Sequence, residues 1–295
     1  MVSQPSRSRR TALLEGTIAG VLFGTAAIFI RLLGAIDVFA IALGRLIIAS
    51  AALMVIAVVL GHSFEPRILK RNMKKVLGLG VLVGFHFIFF ISSVKNTTIL
   101  NATVLVNTSP VLAMIVSVLL FQLKPSRLAL LGLLTSFLGV SIIGISEMTV
   151  HSLTLGLRGD LEAVLAALCE AFYLCYGREL RTKMALLPMM IPIYTVSALV
   201  IGVCSVFVGA PLNFPSRLEP VLFLLGLGVL PTAIGHTLFF SSLSNLKPFE
   251  TATLALLEPV GATLLGIILF SEIPGAMFLL GAFLVLSGVT LVVRG

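Results

Sequence analysis

Ten apolar segments of about twenty residues or more follow one another along the chain, with only short polar stretches between them. A helix of about 20 apolar residues crosses the hydrocarbon core of a bilayer. The segments therefore predict an all-α integral membrane protein with ten transmembrane helices and a single membrane domain, residues 1-295. Their bounds are 12–33, 37–60, 75–94, 97–120, 127–146, 160–181, 186–208, 219–242, 249–270 and 274–293.

The charged residues indicate how the chain lies in the membrane. Only 11% of the residues are charged and 58% are apolar, which argues against a soluble globular enzyme because soluble domains are nearer a quarter charged. If the N-terminus is inside, 15 of the 20 Lys and Arg residues lie in cytoplasmic segments and three in outer loops. Such a bias predicts a multi-pass protein of the cell membrane with both termini cytoplasmic. The net charge of +8 is then a mark of topology in a lipid bilayer, and no nucleic acid partner is expected.

An internal repeat divides the chain into two halves. Sliding the first half forward by 149 positions superposes several Gly, Pro, Ser and Asn residues, a match that chance rarely gives. The pairs include Asn96 with Asn245, Pro110 with Pro259, Gly132 with Gly281 and Gly139 with Gly288. Repeat one covers 12–146 and repeat two covers 160–293, with five spans each. An odd number of spans per repeat predicts two inverted-topology five-helix repeats, which are a mark of secondary transporters.

Several short motifs give the chain a family resemblance. They are Arg45 in the second span, Thr108-Ser109-Pro110, Glu258-Pro259-Val260, Ser271-Glu272-Ile273-Pro274, Gly281 and Gly288-Val289. With these motifs the sequence resembles the drug/metabolite transporter superfamily, specifically its EamA type, over about residues 12–293. The resemblance implies ten helices, a central cavity and export of amino acids or other small metabolites. The sequence departs from the pattern at Leu123, where a Glu is common, and at Phe23-Gly24, where Trp-Gly is common.

Five polar or ionisable residues are predicted near mid-membrane, each in a different span. At about 1.5 Å per helical residue they lie about 13–17 Å below the membrane surface. Groups of this kind are costly in lipid and mark functional sites by default, and a transporter binds its substrate at this depth. The predicted substrate-binding residues are Arg45, His86, Asn107, Glu170 and Glu258, with Tyr173 beside Glu170.

The roles of the charged candidates stay open at this point. Arg45 either forms a structural ion pair or carbonyl clamp, or it anchors a substrate carboxylate. Glu258 either makes a hydrogen bond between helices or lines a cavity as an acid that binds an ammonium group or a proton. Glu170 has the same two interpretations, and Tyr173 follows it at i+3 on one helix face.

The remaining candidates have similar alternatives. His86 lies among phenylalanines and is either a core residue or a group for substrate stacking or proton relay, while His236 is a weaker candidate nearer the cytoplasmic end. Asn107 either hydrogen-bonds between helices or lines the cavity. Pro110 and Pro259, at equivalent places in the repeats, predict a paired gate or, alternatively, ordinary irregular packing.

Taken together, these patterns predict a secondary active transporter that exports amino acids or similar small metabolites by alternating access. A carrier of sugar phosphates or nucleotide sugars is the alternative, and an intramembrane lipid-modifying enzyme ranks lower. The expected partners are a small-molecule substrate, the lipid bilayer and, as a candidate coupling ion, protons. We expect neither enzymatic activity nor a cofactor, because no phosphate-binding loop is present, and no metal, because the three cysteines have no metal-ligand spacing.

Overall fold

A computed structural model describes residues 8–62, 64–146, 156–270 and 275–295, and all regular secondary structure within these ranges is helical. The Ser271–Pro274 motif and the first seven residues lie outside the described residues. The helices are α1 (Arg9–Phe23), α2 (Ala26–Leu32), α3 (Val38–Val59), α4 (Pro66–Asn96), α5 (Ile99–Val106), α6 (Ser109–Phe121), α7 (Arg127–Ser146), α8 (Leu157–Arg181), α9 (Leu186–Val208), α10 (Leu218–Leu227), a π-helical segment (Gly228–His236), α11 (Thr237–Ser242), α12 (Pro248–Ala255), α13 (Glu258–Phe270) and α14 (Ala276–Arg294).

Eight helical stretches within the described ranges are long and apolar enough to cross a membrane. They confirm the all-α membrane fold. The other two predicted spans do not meet these criteria. One corresponds to α8, which contains several charged residues, and the other corresponds to two shorter helices, α12 and α13. The total of ten transmembrane helices therefore stays a prediction. Large apolar side chains such as Val59, Leu119 and Phe207 lie exposed on the outside, as a lipid-facing surface requires.

Two of the predicted spans are each divided into two helices at equivalent places. α5 ends at Val106 and α6 begins at Ser109, while α12 ends at Ala255 and α13 begins at Glu258. Both breaks precede a proline, Pro110 or Pro259, that occupies the second position of the new helix. Proline has no N–H and is tolerated in the first turn of a helix, where that donor has no partner within the helix. The repeat found in the sequence is therefore also a repeat of local backbone structure.

The third span begins earlier than predicted. The basic stretch from Arg67 to Lys75 predicts a start at residue 75, but α4 already begins at Pro66. At 1.5 Å per residue its 31 residues would span about 46 Å, which exceeds a hydrocarbon core of about 30 Å. The basic stretch is therefore a helical extension of the span and not a loop.

α7 and α14, the fifth helices of the two repeats, pack against each other through glycines. An added Cβ on Gly139 would lie 2.6 Å from the backbone oxygen of Gly281, and one on Gly132 would lie 2.5 Å from that of Gly288. Gly139, the later glycine of α7, thus contacts Gly281, the earlier glycine of α14, and the earlier Gly132 contacts the later Gly288. The two helices consequently run antiparallel, the relation that inverted repeats predict for this pair.

The first helix of each repeat packs mainly against the other repeat. α1 contacts α11, α12, α13 and the π-helical segment, and α8 contacts α4, α5 and α6. The second helices, α3 and α9, also contact each other. The repeats are therefore interlocked, and the space at their centre is bounded by helices from both.

Candidate functional site

A cavity lies at the centre of the protein between the two repeats. It contains about 420 Å³ of space not filled by protein atoms, counting its open side. Five of the six predicted substrate-binding residues line it, although they come from five different spans. The lining residues are Phe23, Ala26, Arg45, His86, Phe90, Val106, Asn107, Glu170, His236, Ala255 and Glu258.

Arg45 is held on two sides and free on a third. Its Nε donates a hydrogen bond of 2.9 Å to the hydroxyl of Thr232, and its guanidinium lies 4.1 Å from the centre of the Phe87 ring. The residue is only 1% exposed, yet its Nη1 has no hydrogen-bond partner among the described residues. A buried guanidinium donor without a partner is costly, so this edge of Arg45 is available to an acceptor in the cavity.

The π-helical segment supplies the partner of Arg45. The Thr232 hydroxyl, which accepts from Arg45, also donates a 2.7 Å hydrogen bond to the carbonyl of Leu227, five residues earlier. The hydroxyl of Tyr194 in α9 donates to the Thr232 carbonyl at 3.0 Å. Pro231 lies within the segment, where its missing N–H interrupts regular α-helical bonding. The wider π turn thus places one threonine hydroxyl against the guanidinium.

His86 is anchored by a backbone carbonyl next to a carboxyl group. Its Nδ1 lies 3.0 Å from the carbonyl of Ala166 and 4.0 Å from Oε2 of Glu170. Because a carbonyl oxygen only accepts, Nδ1 carries the proton and Nε2 is the acceptor of the neutral ring. His86 and Glu170 are both buried.

Tyr173 differs from the other predicted site residues because it does not line the cavity. Its ring is fully buried, stacks on Phe240 at 5.3 Å and meets the His86 ring edge-on at 5.3 Å. Its hydroxyl has no hydrogen-bond partner among the described residues. Tyr173 is therefore packed behind His86.

Asn107 and Glu258 are placed in the cavity by the two helix breaks. Asn107 follows the last residue of α5, and its Nδ2 has no partner within the described part of the chain. Glu258 is the first residue of α13, where the positive end of the helix dipole stabilises a carboxylate. Gly24 allows α1 to approach closely, since an added Cβ there would lie 2.7 Å from the Glu258 backbone oxygen. Pro110 and Pro259 lie in the first turn after these breaks and are not among the lining residues, so their role as a paired gate stays a prediction.

His236 lines the cavity, although its place in the sequence predicts a weaker candidate nearer the cytoplasmic end. Its ring lies 5.9 Å from that of His86 and 4.7 Å from that of Phe23. His236 is the last residue of the π-helical segment, whose residues are not spaced as in a straight α-helix. One signal was available, since His236 lies one residue beyond the repeat equivalent of His86. Within the described residues no three His, Cys, Asp or Glu side chains form a group that could hold a metal ion.

At one end of the protein an ion pair joins the two repeats. Arg9, the first residue of α1, donates to both carboxylate oxygens of Glu250 in α12, at 3.0 and 3.3 Å, and to the carbonyl of Val293 at 2.9 Å. Glu250 also accepts from the backbone N–H of Lys247 at 2.6 Å. The Arg9–Glu250 contact therefore joins repeat one to repeat two.

A corresponding contact joins the repeats at the other end. Asp160 near the start of α8 accepts from the Thr97 hydroxyl at 2.8 Å and from Asn101 at 3.4 Å. Asn101 is the third residue of α5, as Glu250 is the third residue of α12. The two contacts lie at different ends of α8. Asp160 is near its start, whereas Arg178 in its last turn donates to the Leu246 carbonyl, close to Glu250 and the start of α12. Equivalent contacts thus lie at opposite ends of a 25-residue helix.

Comparisons with known proteins agree with this architecture. The EamA-like transporter family model matches residues 10–145 and again residues 157–294. An uncharacterized transporter of Archaeoglobus fulgidus is 26% identical over 277 residues, which are 94% of each chain. The uncharacterized transporter YxxF of Bacillus subtilis is 24% identical over 291 residues, 97% of this chain and 90% of that one.

A crystal structure with 20% sequence identity superposes with a TM-score of 0.80 and covers 97% of this chain and 98% of that chain. This likeness supports the fold alone. The two family matches together cover almost all of the chain. The chain is therefore a multi-pass membrane protein that belongs to the EamA-like transporter family.

Proposed function

We propose that this transporter is a secondary active carrier that exports amino acids or similar small metabolites by alternating access. The observation that carries the proposal is the central cavity, where buried ionisable groups from both repeats face one space. Such groups are costly in a membrane and are retained where a polar substrate passes. The family is a transporter family, and substrate sites of secondary transporters lie between repeats near mid-membrane.

The chemistry of the lining favours a small molecule with both an acidic and a basic group. Arg45 Nη1 and Asn107 Nδ2 are buried donors that lack an acceptor in the described structure. Glu170 and Glu258 are carboxyl groups at the same cavity, and they suit an ammonium group or a proton. A compact amino acid matches both kinds of group. Sugar phosphates match less well, because Arg45 is the one Lys or Arg side chain in the lining.

Alternating access is supported by the related contacts at the two ends. The Arg9–Glu250 contact and the Asp160–Asn101 contact each join the first helix of one repeat to the fourth span of the other. If the repeats have opposite orientation in the membrane, opening one contact while the other stays closed exposes the cavity to one side only. The distribution of Lys and Arg supports the assignment of the Arg9 end to the cytoplasm.

Transport is favoured over chemistry on lipids. An intramembrane enzyme needs a catalytic cluster near an interface, where its lipid substrate presents the reacting group. The ionisable residues of the cavity instead lie between helices at the centre of the fold, and the curated relatives are named transporters.

Purified protein in proteoliposomes tests the proposal. Vesicles loaded with one unlabelled amino acid, sugar phosphate or nucleotide sugar at a time are offered the same compound with a radioactive label. Accumulation of labelled amino acids, absent from protein-free vesicles, supports the proposed class. Accumulation of sugar phosphates alone would favour the alternative carrier. Transport of nothing in the panel, together with turnover of vesicle lipid, would overturn the proposal.

A further inference from the structure

We propose that Thr232 is a positioning residue that aims Arg45 at an anionic group of the substrate. The inference rests on the proposed function, because it concerns what the same cavity binds. It assigns a role to the π-helical segment, which the repeat and the sequence motifs leave unexplained.

The geometry around Arg45 determines which of its edges is free. Nε donates a hydrogen bond of 2.9 Å to the Thr232 hydroxyl, and the centre of the Phe87 ring lies 4.1 Å from the guanidinium carbon, over one of its faces. Among the described residues Nη1 has no partner, while the side chain is 99% buried and lines the cavity. Arginine binds carboxylates strongly through its N–H donors, so an anionic oxygen is the chemical complement of the free edge.

Thr232 can fix the orientation of Arg45 because its hydroxyl makes two hydrogen bonds, one as acceptor and one as donor. It accepts from Arg45 and donates to the carbonyl of Leu227 at 2.7 Å, which fixes the direction of its lone pair. Tyr194 adds a second restraint by donating to the Thr232 carbonyl at 3.0 Å. Both residues are fully buried. The Thr232 hydroxyl is thus oriented before any substrate enters.

The contact with Arg45 lies in the π-helical segment. The Thr232 side chain donates to the carbonyl five residues earlier, whereas in an α-helix a threonine hydroxyl bonds a carbonyl three or four residues earlier. The equivalent part of repeat one lies within α4, which is α-helical throughout. The anion-binding edge is consequently a feature of one repeat, and the cavity is chemically asymmetric although the fold is repeated.

The test compares L-alanine, L-threonine and L-leucine with their carboxamides, which keep the ammonium group and lose the carboxylate. Thermal stabilisation of the purified protein by each compound reports binding, and uptake into proteoliposomes reports transport. We expect the acids to bind and the amides to bind at least about tenfold more weakly, because a charge-assisted hydrogen bond is lost. Thr232→Val should weaken acid binding about tenfold and remove most of the preference for acid over amide.

Matched variants separate positioning from folding. Thr232→Ser retains the hydroxyl and should restore the preference. Thr253→Val removes another buried threonine hydroxyl, one that donates to the Phe249 carbonyl at 2.7 Å, and should leave the preference unchanged. If T232V does not fold, Thr232→Ala and Tyr194→Phe provide the comparison, with the larger effect expected for T232A.

Each outcome decides the inference. Equal binding of acids and amides, or a T232V protein that keeps the wild-type preference, overturns it even when transport is observed. Acid-selective binding that depends on Thr232, without transport, sustains the inference and overturns the proposed function. Failure of every acid to bind overturns the inference, and transport of other compounds would then leave the proposed carrier activity standing.

Discussion

Ser136 donates a hydrogen bond of 3.3 Å to the backbone carbonyl of Val285, the residue that occupies its equivalent position in the other repeat, 149 residues later. A residue meets its own equivalent only near an axis that relates the two repeats by a half turn. The glycines on either side fit the same half turn, because Gly139 contacts Gly281, the equivalent of Gly132, and Gly132 contacts Gly288, the equivalent of Gly139. The α7–α14 pair therefore has the packing expected of two helices related by a half turn, and its contacts join one repeat to the other.

The first prediction concerns this packing. Gly139→Ala places a Cβ 2.6 Å from the Gly281 oxygen, which α14 can relieve only by moving its backbone. We expect the free energy of unfolding to fall by about 1–3 kcal/mol, the usual cost of overpacking. Gly202→Ala is the control, since its Cβ would meet nothing within 4 Å and alanine favours the helix. Thermal unfolding of both detergent-purified variants measures the difference, and equal midpoints would contradict it.

The second prediction concerns the contacts at the two ends. Glu250→Gln removes the charge that pairs with Arg9, and Asp160→Ala removes the acceptor of Thr97 and Asn101. If each contact holds one end closed, the variants should shift the accessibility of the cavity in opposite directions. Partly exposed ion pairs contribute about 0.5–1 kcal/mol, which corresponds to a change of about two- to fivefold.

A cysteine in the cavity measures this accessibility. Ala255→Cys lines the cavity, and the native Cys169, Cys175 and Cys204 are first replaced by alanine. A membrane-impermeant thiol reagent is then added from either side. E250Q should speed labelling from the cytoplasmic side and D160A from the outer side. Arg158→Gln, which breaks an ion pair within α8 alone, should change neither rate. Changes in the same direction for E250Q and D160A would argue against alternating access through these contacts.

The sequence predicts much of this fold because its Gly and Pro residues serve defined structural roles. Pro110 and Pro259 mark helix starts, and the paired glycines mark the α7–α14 contact, so one shift of 149 residues captures both. The site residues could be proposed because polar groups are rare in an apolar chain. Five of them lie at one cavity.

The π-helical segment could not be predicted from the sequence. Pro231 alone does not distinguish a kink from a π turn, and the consequences of that turn for Thr232 and His236 depend on tertiary packing. The observed start of α4 differs from the predicted start of the third span for another reason. Five of its first ten residues are basic, and such a cluster of charge predicts the end of a span, although Pro66 is a good helix start.

The third prediction concerns proton coupling. Glu170 and Glu258 share the cavity with Arg45, His86 and His236, so a proton gained by either acid changes the charge that a substrate meets. We expect an imposed pH gradient to alter uptake by the wild-type protein. Glu170→Gln or Glu258→Gln should abolish that response while exchange of labelled for unlabelled substrate continues. Glu219→Gln, at the exposed start of α10, is the control. A full response in both cavity variants would remove the two acids from coupling.

The fourth prediction concerns the paired helix breaks. Alanine at 110 or 259 regains an N–H that can bond the carbonyl of Val106 or Ala255, four residues earlier, and so joins α5 to α6 or α12 to α13. A continuous helix is stiffer, so we expect Pro110→Ala and Pro259→Ala to slow transport about fivefold, equivalent to about 1 kcal/mol in the barrier. Thermal stability should be equal to or above that of the wild type. Pro192→Ala is the matched control, because Pro192 lies inside the unbroken α9. Equal transport rates for all three variants would show that the breaks shape the cavity without taking part in its opening.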